Sequence, residues 1–528
     1  MSALSSATGL CHDSGLQTVN AQAARVRWLL TALLLGAVLA VPFFLVEVPP
    51  VLDYPNHLAR YFVLAHPDDP VLSQMYAPHW RILPNLGMDV IGVALLQIAD
   101  VHVAGRLLLA LSLFAPVAGV IIYSRVMFGR FSYWPLASGT VAYNAAFLLG
   151  FMNFLLSLGL ALTVAAAFAL LRRRGHPLIA AGVGAVAACI VFFAHIFGVI
   201  LLGLLVGSAE CARLWRARSS ATVVRDAWHS AGGLALMFAP ALTLFLLCPL
   251  SDVPSSVGEW RGPQKLWAVF APFMTTNVNL TLLTALVVFC FAVTAWRNAV
   301  VAPGIALAMA VLSVVFVLAP SAIGNGTFID LRIAVMIALL LFAGVQPRLA
   351  RRHAVAAGLV FAALIALRGA YVATTWYDRR HDVADLRAAI AAVTPGARVL
   401  AARGHPGNWT EAEVPTRALP GIYRLDGHLA ALLVIERRAF WPLLFADPAQ
   451  QPLAVRPPYD RLAQPLAEPL DWPLLERDDL SAAGYANWRK NFDYVLLVDA
   501  PQPAPSLAGL TPVRAGRYAV LYRIEPKS

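Results

Sequence analysis

Apolar runs of roughly 18 or more residues recur along this chain, and no other feature narrows its fold so far. A run of that length matches the hydrocarbon thickness of a bilayer when helical. Of the 528 residues, 59% are hydrophobic and only 13% are charged, with a mean hydropathy of +0.69. A soluble surface needs more charge than that. The class is therefore a polytopic α-helical membrane protein. Net charge is +11, but the basic residues gather between apolar runs, which reads as topology and not as nucleic-acid binding. Only three lysines, Lys265, Lys490 and Lys527, stand among 40 basic residues, a bias that points to a GC-rich bacterial genome.

Positive-inside bookkeeping orders the runs. Arg25 and Arg27 precede the first, Trp28 to Val46, which lacks a small-residue cleavage site and reads as an uncleaved span with a cytoplasmic N-terminal tail, 1–27. About 11 spans follow from the same rule, near 28–46, 105–123, 132–149, 152–171, 178–195, 196–212, 230–248, 278–296, 300–320, 330–346 and 354–372. Residues 47–104 form a first outer loop, in which Leu86 to Ile98 is too short to span and should lie in the interface. The membrane portion is 28–372. Residues 373–528 are more polar and form a small extracytoplasmic α/β domain. It has a helix over Val383–Val393 and strands at Ala397–Ala401, Phe492–Asp499 and Tyr518–Ile524. The expected location is a bacterial inner membrane, with the C-terminal domain periplasmic. Five cysteines, none in the C-terminal segment, imply no disulfide framework, and no Cys/His spacing suits a metal.

With that topology, polar residues collect at one face. Glu47, Asp53, His57 and Arg60 follow the first span. Tyr143, Asn144 and Asn153 flank the turn AFLLGFMNF, and His195 stands at the junction of two spans. Glu259, Arg261 and Lys265 lie in one outer loop, and Asn325, Asp330 and Arg332 in another. Ionisable groups near membrane depth are costly and mark function by default. Asp53 precedes Pro55, so it also suits a helix N-cap. Asp53 and His57, four apart, share a helix face, where a carboxylate can fix an imidazole tautomer or share a proton with it. His195 also reads as a packed histidine, and Arg332 as a snorkelling one. Trp80, Trp260 and Trp267 read as interfacial anchors. Asn279, Asn325 and Asn408 match a glycosylation pattern that carries no weight in a bacterial protein.

LDYPNHLARYF at 52–62, YNAAFLLGFMNFLLSLGLAL at 143–162, HIFG around His195 and GNGTFIDLR at 324–332 together resemble the GT-C glycosyltransferases. The likeness is architectural and covers 28–372. It implies a polyprenyl-phosphate-linked sugar as donor, bound from the lipid bilayer. Transfer would go to a glycan, lipid or protein acceptor on the extracytoplasmic face. Under this resemblance Asp53 and His57 are the catalytic candidates. Arg332, Arg261, Lys265, His195, Asn153 and Asn144 would bind substrate or its phosphate. The family's first loop usually carries paired acids; here Asp53 is followed by Tyr54, which leaves a divalent metal without its second carboxylate. Two readings outside this family remain open: a transporter or lipid flippase, with charges at mid-span, and a non-catalytic scaffold.

Overall fold

The computed structural model of the chain describes residues 5–249, 258–323, 326–404, 417–421, 424–477, 480 and 484–525, with side chains from 22 onward. The chain is mostly helical, and eight helices among the described residues are long and apolar enough to cross a membrane. They are Gln22–Leu45 (within the longer helix Ser5–Leu45), Val101–Phe128, Met152–Arg173, Pro177–Ala194, Ile196–Arg216, Val223–Leu246, Val278–Trp296 and Arg351–Ile390.

Three of the eleven expected spans take other forms. The run 132–149 is a 3-10 helix, Trp134–Val141, and a single α turn, Ala145–Leu148. It still connects the two ends of the bundle. Phe131 stands under the guanidinium groups of Arg25 and Arg125, while the carbonyls of Leu148 and Leu149 accept from the amides of Leu52 and Asp53. Broken backbone at membrane depth survives only inside protein, and every residue from 135 to 150 is buried. The runs 300–320 and 330–346 give helices of 14 and 16 residues, Ile305–Leu318 and Ile329–Gly344. At 1.5 Å per residue these reach about 21 and 24 Å, short of a hydrocarbon core of about 30 Å. Two short antiparallel ladders frame them, Ala299–Val301 with Val345–Pro347 at one end and Ala322–Ile323 with Gly326–Thr327 at the other.

The first loop is a folded unit. Tyr54–Ala65 and Gly87–Leu95 are helices, and the second is shorter than the expected 86–98. Its Asp89 is fully buried. Arg60 grips it through Nε–Oδ1 at 2.6 Å and Nη2–Oδ2 at 3.1 Å. That two-pronged pair locks the loop helices together.

The helix Arg351–Ile390 runs about 60 Å without a break, so the boundary expected at 373 falls inside it. It leads into a five-stranded sheet of order Leu510–Ala515, Ala519–Ile524, Tyr494–Val498, Val399–Arg403, Leu470–Asp471. Val399–Arg403 runs parallel to both of its neighbours, and the other pairings are antiparallel. The three expected strands are all present. Asp385, on the long helix, accepts from the amides of Tyr518 and Ala519 and fixes sheet to helix. The sheet domain also docks on the first loop. Tyr76–Pro78 pairs with Leu453–Val455, and the Asn56 amide donates to Leu443 O and accepts from Phe445 N.

Candidate functional site

Asp53 sits at the N-cap of Tyr54–Ala65, with Pro55 in the first turn, but its side chain makes no capping hydrogen bond. Its backbone is held instead. The Asp53 amide donates to Leu149 O at 3.1 Å, and its carbonyl accepts from His57 N. The turn at 148–151 fits against this segment because residue 150 is glycine. Gly150 has φ +87°, and a Cβ there would lie 2.9 Å from that of Asp53. The carboxylate is thereby left for a partner that the sequence did not suggest. His428, in the C-terminal domain, brings Nδ1 to 3.0 Å from Asp53 Oδ1, off the line of a hydrogen bond, and both side chains are largely buried.

His57 is close by but does not pair with Asp53. Phe445 packs 5.2 Å from the rings of both His57 and His428, so the docked domain occupies the side of Asp53 expected for His57. The His57 ring faces the Gly150 backbone, and its Nδ1 is buried without a partner. Burial, and then the nearby Arg60 and His428, hold it well below the usual histidine range, in its neutral form.

Arg332, one turn into Ile329–Gly344, lies across the same turn from Asp53. Its guanidinium stands 4.4 Å from the ring of Phe151, with Phe154 at 5.3 Å and Phe197 at 5.5 Å. Asp53 is the carboxylate whose field reaches it. No carboxylate touches Arg332 among the described residues, and its buried Nε has no hydrogen-bond partner. Among the described residues, the polar side chain in contact is His195, with Nε2 at 2.9 Å from Nη1. His195 caps the helix Ile196–Arg216, where its Nδ1 accepts from Phe197 N. A neutral imidazole has one in-plane lone pair and cannot accept from both donors. Arg332 is therefore a cation short of acceptors.

The other sequence candidates have structural duties. Asn144 caps the turn Ala145–Leu148 by accepting from Phe147 N, and it donates to Val141 O. Asn153 accepts from Met88 N and donates to Asn85 O, which ties the first loop to Met152–Arg173. Arg261 pairs with Glu259. Lys265 donates to the carbonyl of Ala319 and lies 4.5 Å over the ring of Trp260. Neither cation contacts Asp53 or Arg332. Asp330 accepts from Ser321 Oγ and Leu331 N. Glu47 binds Arg387, which also holds Glu436 and so joins the first loop to the sheet domain. Asn325 and Asn408 lie outside the described residues. Among the described residues, no three His, Cys, Asp or Glu side chains converge as a metal site would require. No family model, curated protein or solved structure matches this chain.

Proposed function

We propose that the Asp53–Arg332 site transfers a sugar from a polyprenyl-phosphate donor to a hydroxyl acceptor. The observation that supports this reading is a partly buried arginine whose buried Nε has no partner and which no carboxylate touches among the described residues, within the field of a largely buried aspartate that does not cap its own helix. A buried cation in that state is expensive unless an anion completes it. A phosphate supplies the acceptors that His195 cannot. In the reaction the acceptor oxygen bonds to the anomeric carbon as the anomeric carbon–phosphate oxygen bond breaks. Asp53 takes the hydroxyl proton, with His428 holding the carboxylate in place. The leaving polyprenyl phosphate carries away the bonding pair, and Arg332 stabilises its charge. His57, neutral, packs against Phe445 beside this site and is not the proton store.

A transporter calls for charges that face a path at mid-span. The buried Arg368 has a different use: it donates to Phe273 O, Tyr143 O and Thr284 Oγ1 and so braces the broken segment. The glycolipid and polysaccharide profile of cells carrying Asp53→Asn tests the reading. It should lose a glycosylated product while the variant inserts into membranes at the normal level. A profile identical to wild type contradicts the proposal.

A further inference from the structure

A cavity of about 730 Å³ lies at the arginine-rich end of the bundle, away from Asp53. The helix Arg351–Ile390 lines it from Ala354 to Ala366, and Tyr371 to Trp376 of the same helix then reach Pro50 and Leu148 beside the other site. Leu35 and Val38 of the first helix close one wall, and Trp134 and Phe361 another. The lined length, from Ala354 to Ala366 or about 18 Å, is close to one leaflet's share of a hydrocarbon core of about 30 Å.

The mouth is cationic. Arg130 and Arg348 line it, no lining residue is acidic, and neither arginine has a carboxylate partner among the described residues. Arg25 and Arg125 stand nearby over Phe131, which also lines the cavity. A further polar group is unspent. Gln346, 5% exposed, meets Ser132 Oγ at 2.9 Å through Nε2, while its buried Oε1 has no partner. Whichever way the amide is turned, one polar atom remains for a ligand at the depth where chain meets headgroup.

From this apolar slot, its two unpaired arginines and the orphan amide atom, we propose that the cavity binds an anionic phospholipid of the surrounding bilayer. An acyl chain fills the slot, and the phosphate lies between Arg130 and Arg348. The charge pattern favours an anionic headgroup over a zwitterionic one. This is a second lipid site, independent of the transferase reading.

Native mass spectrometry of the full chain in detergent, titrated with phosphatidylglycerol or phosphatidylcholine, provides the test. Phosphatidylglycerol should bind at least tenfold more tightly. Arg130→Gln with Arg348→Gln should bring it down to the phosphatidylcholine level. Gly358→Phe should abolish both. A Cβ at Gly358 meets nothing within 4 Å, so this change fills the slot without crowding the fold. Arg332→Gln, at the other end, should leave phosphatidylglycerol binding as it is. Equal affinity for the two lipids, or phosphatidylglycerol binding that survives Gly358→Phe, overturns the proposal.

Discussion

Two arginines, Arg60 fully buried and Arg332 partly so, are held in different ways. Arg60 is fully buried and gripped by Asp89, and the pair fastens two helices of the first loop. Arg332 is held by aromatic rings and one histidine, with its Nε unsatisfied. Each keeps one buried nitrogen without a partner, Nη1 in Arg60 and Nε in Arg332, but only Arg60 has a carboxylate in contact among the described residues. An arginine with a carboxylate in contact carries its counter-charge inside the fold, and one without it can take an anion from a ligand.

The largest effect that would sharpen this contrast is the removal of one partner at the first site. Asp89→Asn leaves Arg60 buried and unpaired and should cost about 3–5 kcal/mol, read as a fall in the denaturation midpoint in detergent. Arg60→Met together with Asp89→Leu should recover most of that loss. Arg332→Gln should behave in the opposite way. Its unfolding midpoint should stay level or rise, while sugar transfer falls by about 10²–10³-fold, as for the loss of one charge-stabilising donor. A strongly destabilised Arg332→Gln would break the contrast.

His428→Ala should lower transfer, and combined with Asp53→Asn it should add nothing. A double-mutant cycle on the transfer rate measures that coupling. The pH dependence of stability is a smaller effect. His57 is neutral in the fold, so the unfolded chain binds the extra proton once pH drops below the ordinary value of 6.5. Stability should fall as pH falls from there, by up to about 1.4 kcal/mol per pH unit from this residue. His57→Asn should flatten the slope in pH-stepped thermal melts. The smallest effect belongs to the exposed pair of Glu259 and Arg261. Glu259→Gln should change stability by no more than about 1 kcal/mol and leave transfer intact.

Particular residues show how far the sequence could be read. Apolar length alone located all eight long helices among the described residues, because a run that must stay out of water has few other folds. The same signal misjudged 132–149. Lipid and protein interior reward the same apolar composition, and only burial distinguishes a lipid-facing helix from a broken one sealed in protein. Asn144 and Asn153 resembled ligand contacts because a capping amide and a substrate-binding amide look alike in sequence. Asp53 and Arg332 were legible as costly charges near membrane depth. His428 was not, since it reaches Asp53 only through the docking of a distant domain on the first loop. Just before His428 stand Arg424 and Asp426, which pair with each other, and Arg424 also pairs with Asp499.

The central claim is that Arg332 awaits a phosphate carried on a polyprenyl chain. Mass spectrometry of lipids that copurify with the wild-type protein and with Arg332→Gln tests it most directly. The account predicts a polyprenyl-phosphate species with the wild type, lost from a variant that is equally well folded. The same lipids on both proteins, or no polyprenyl phosphate on either, would contradict it.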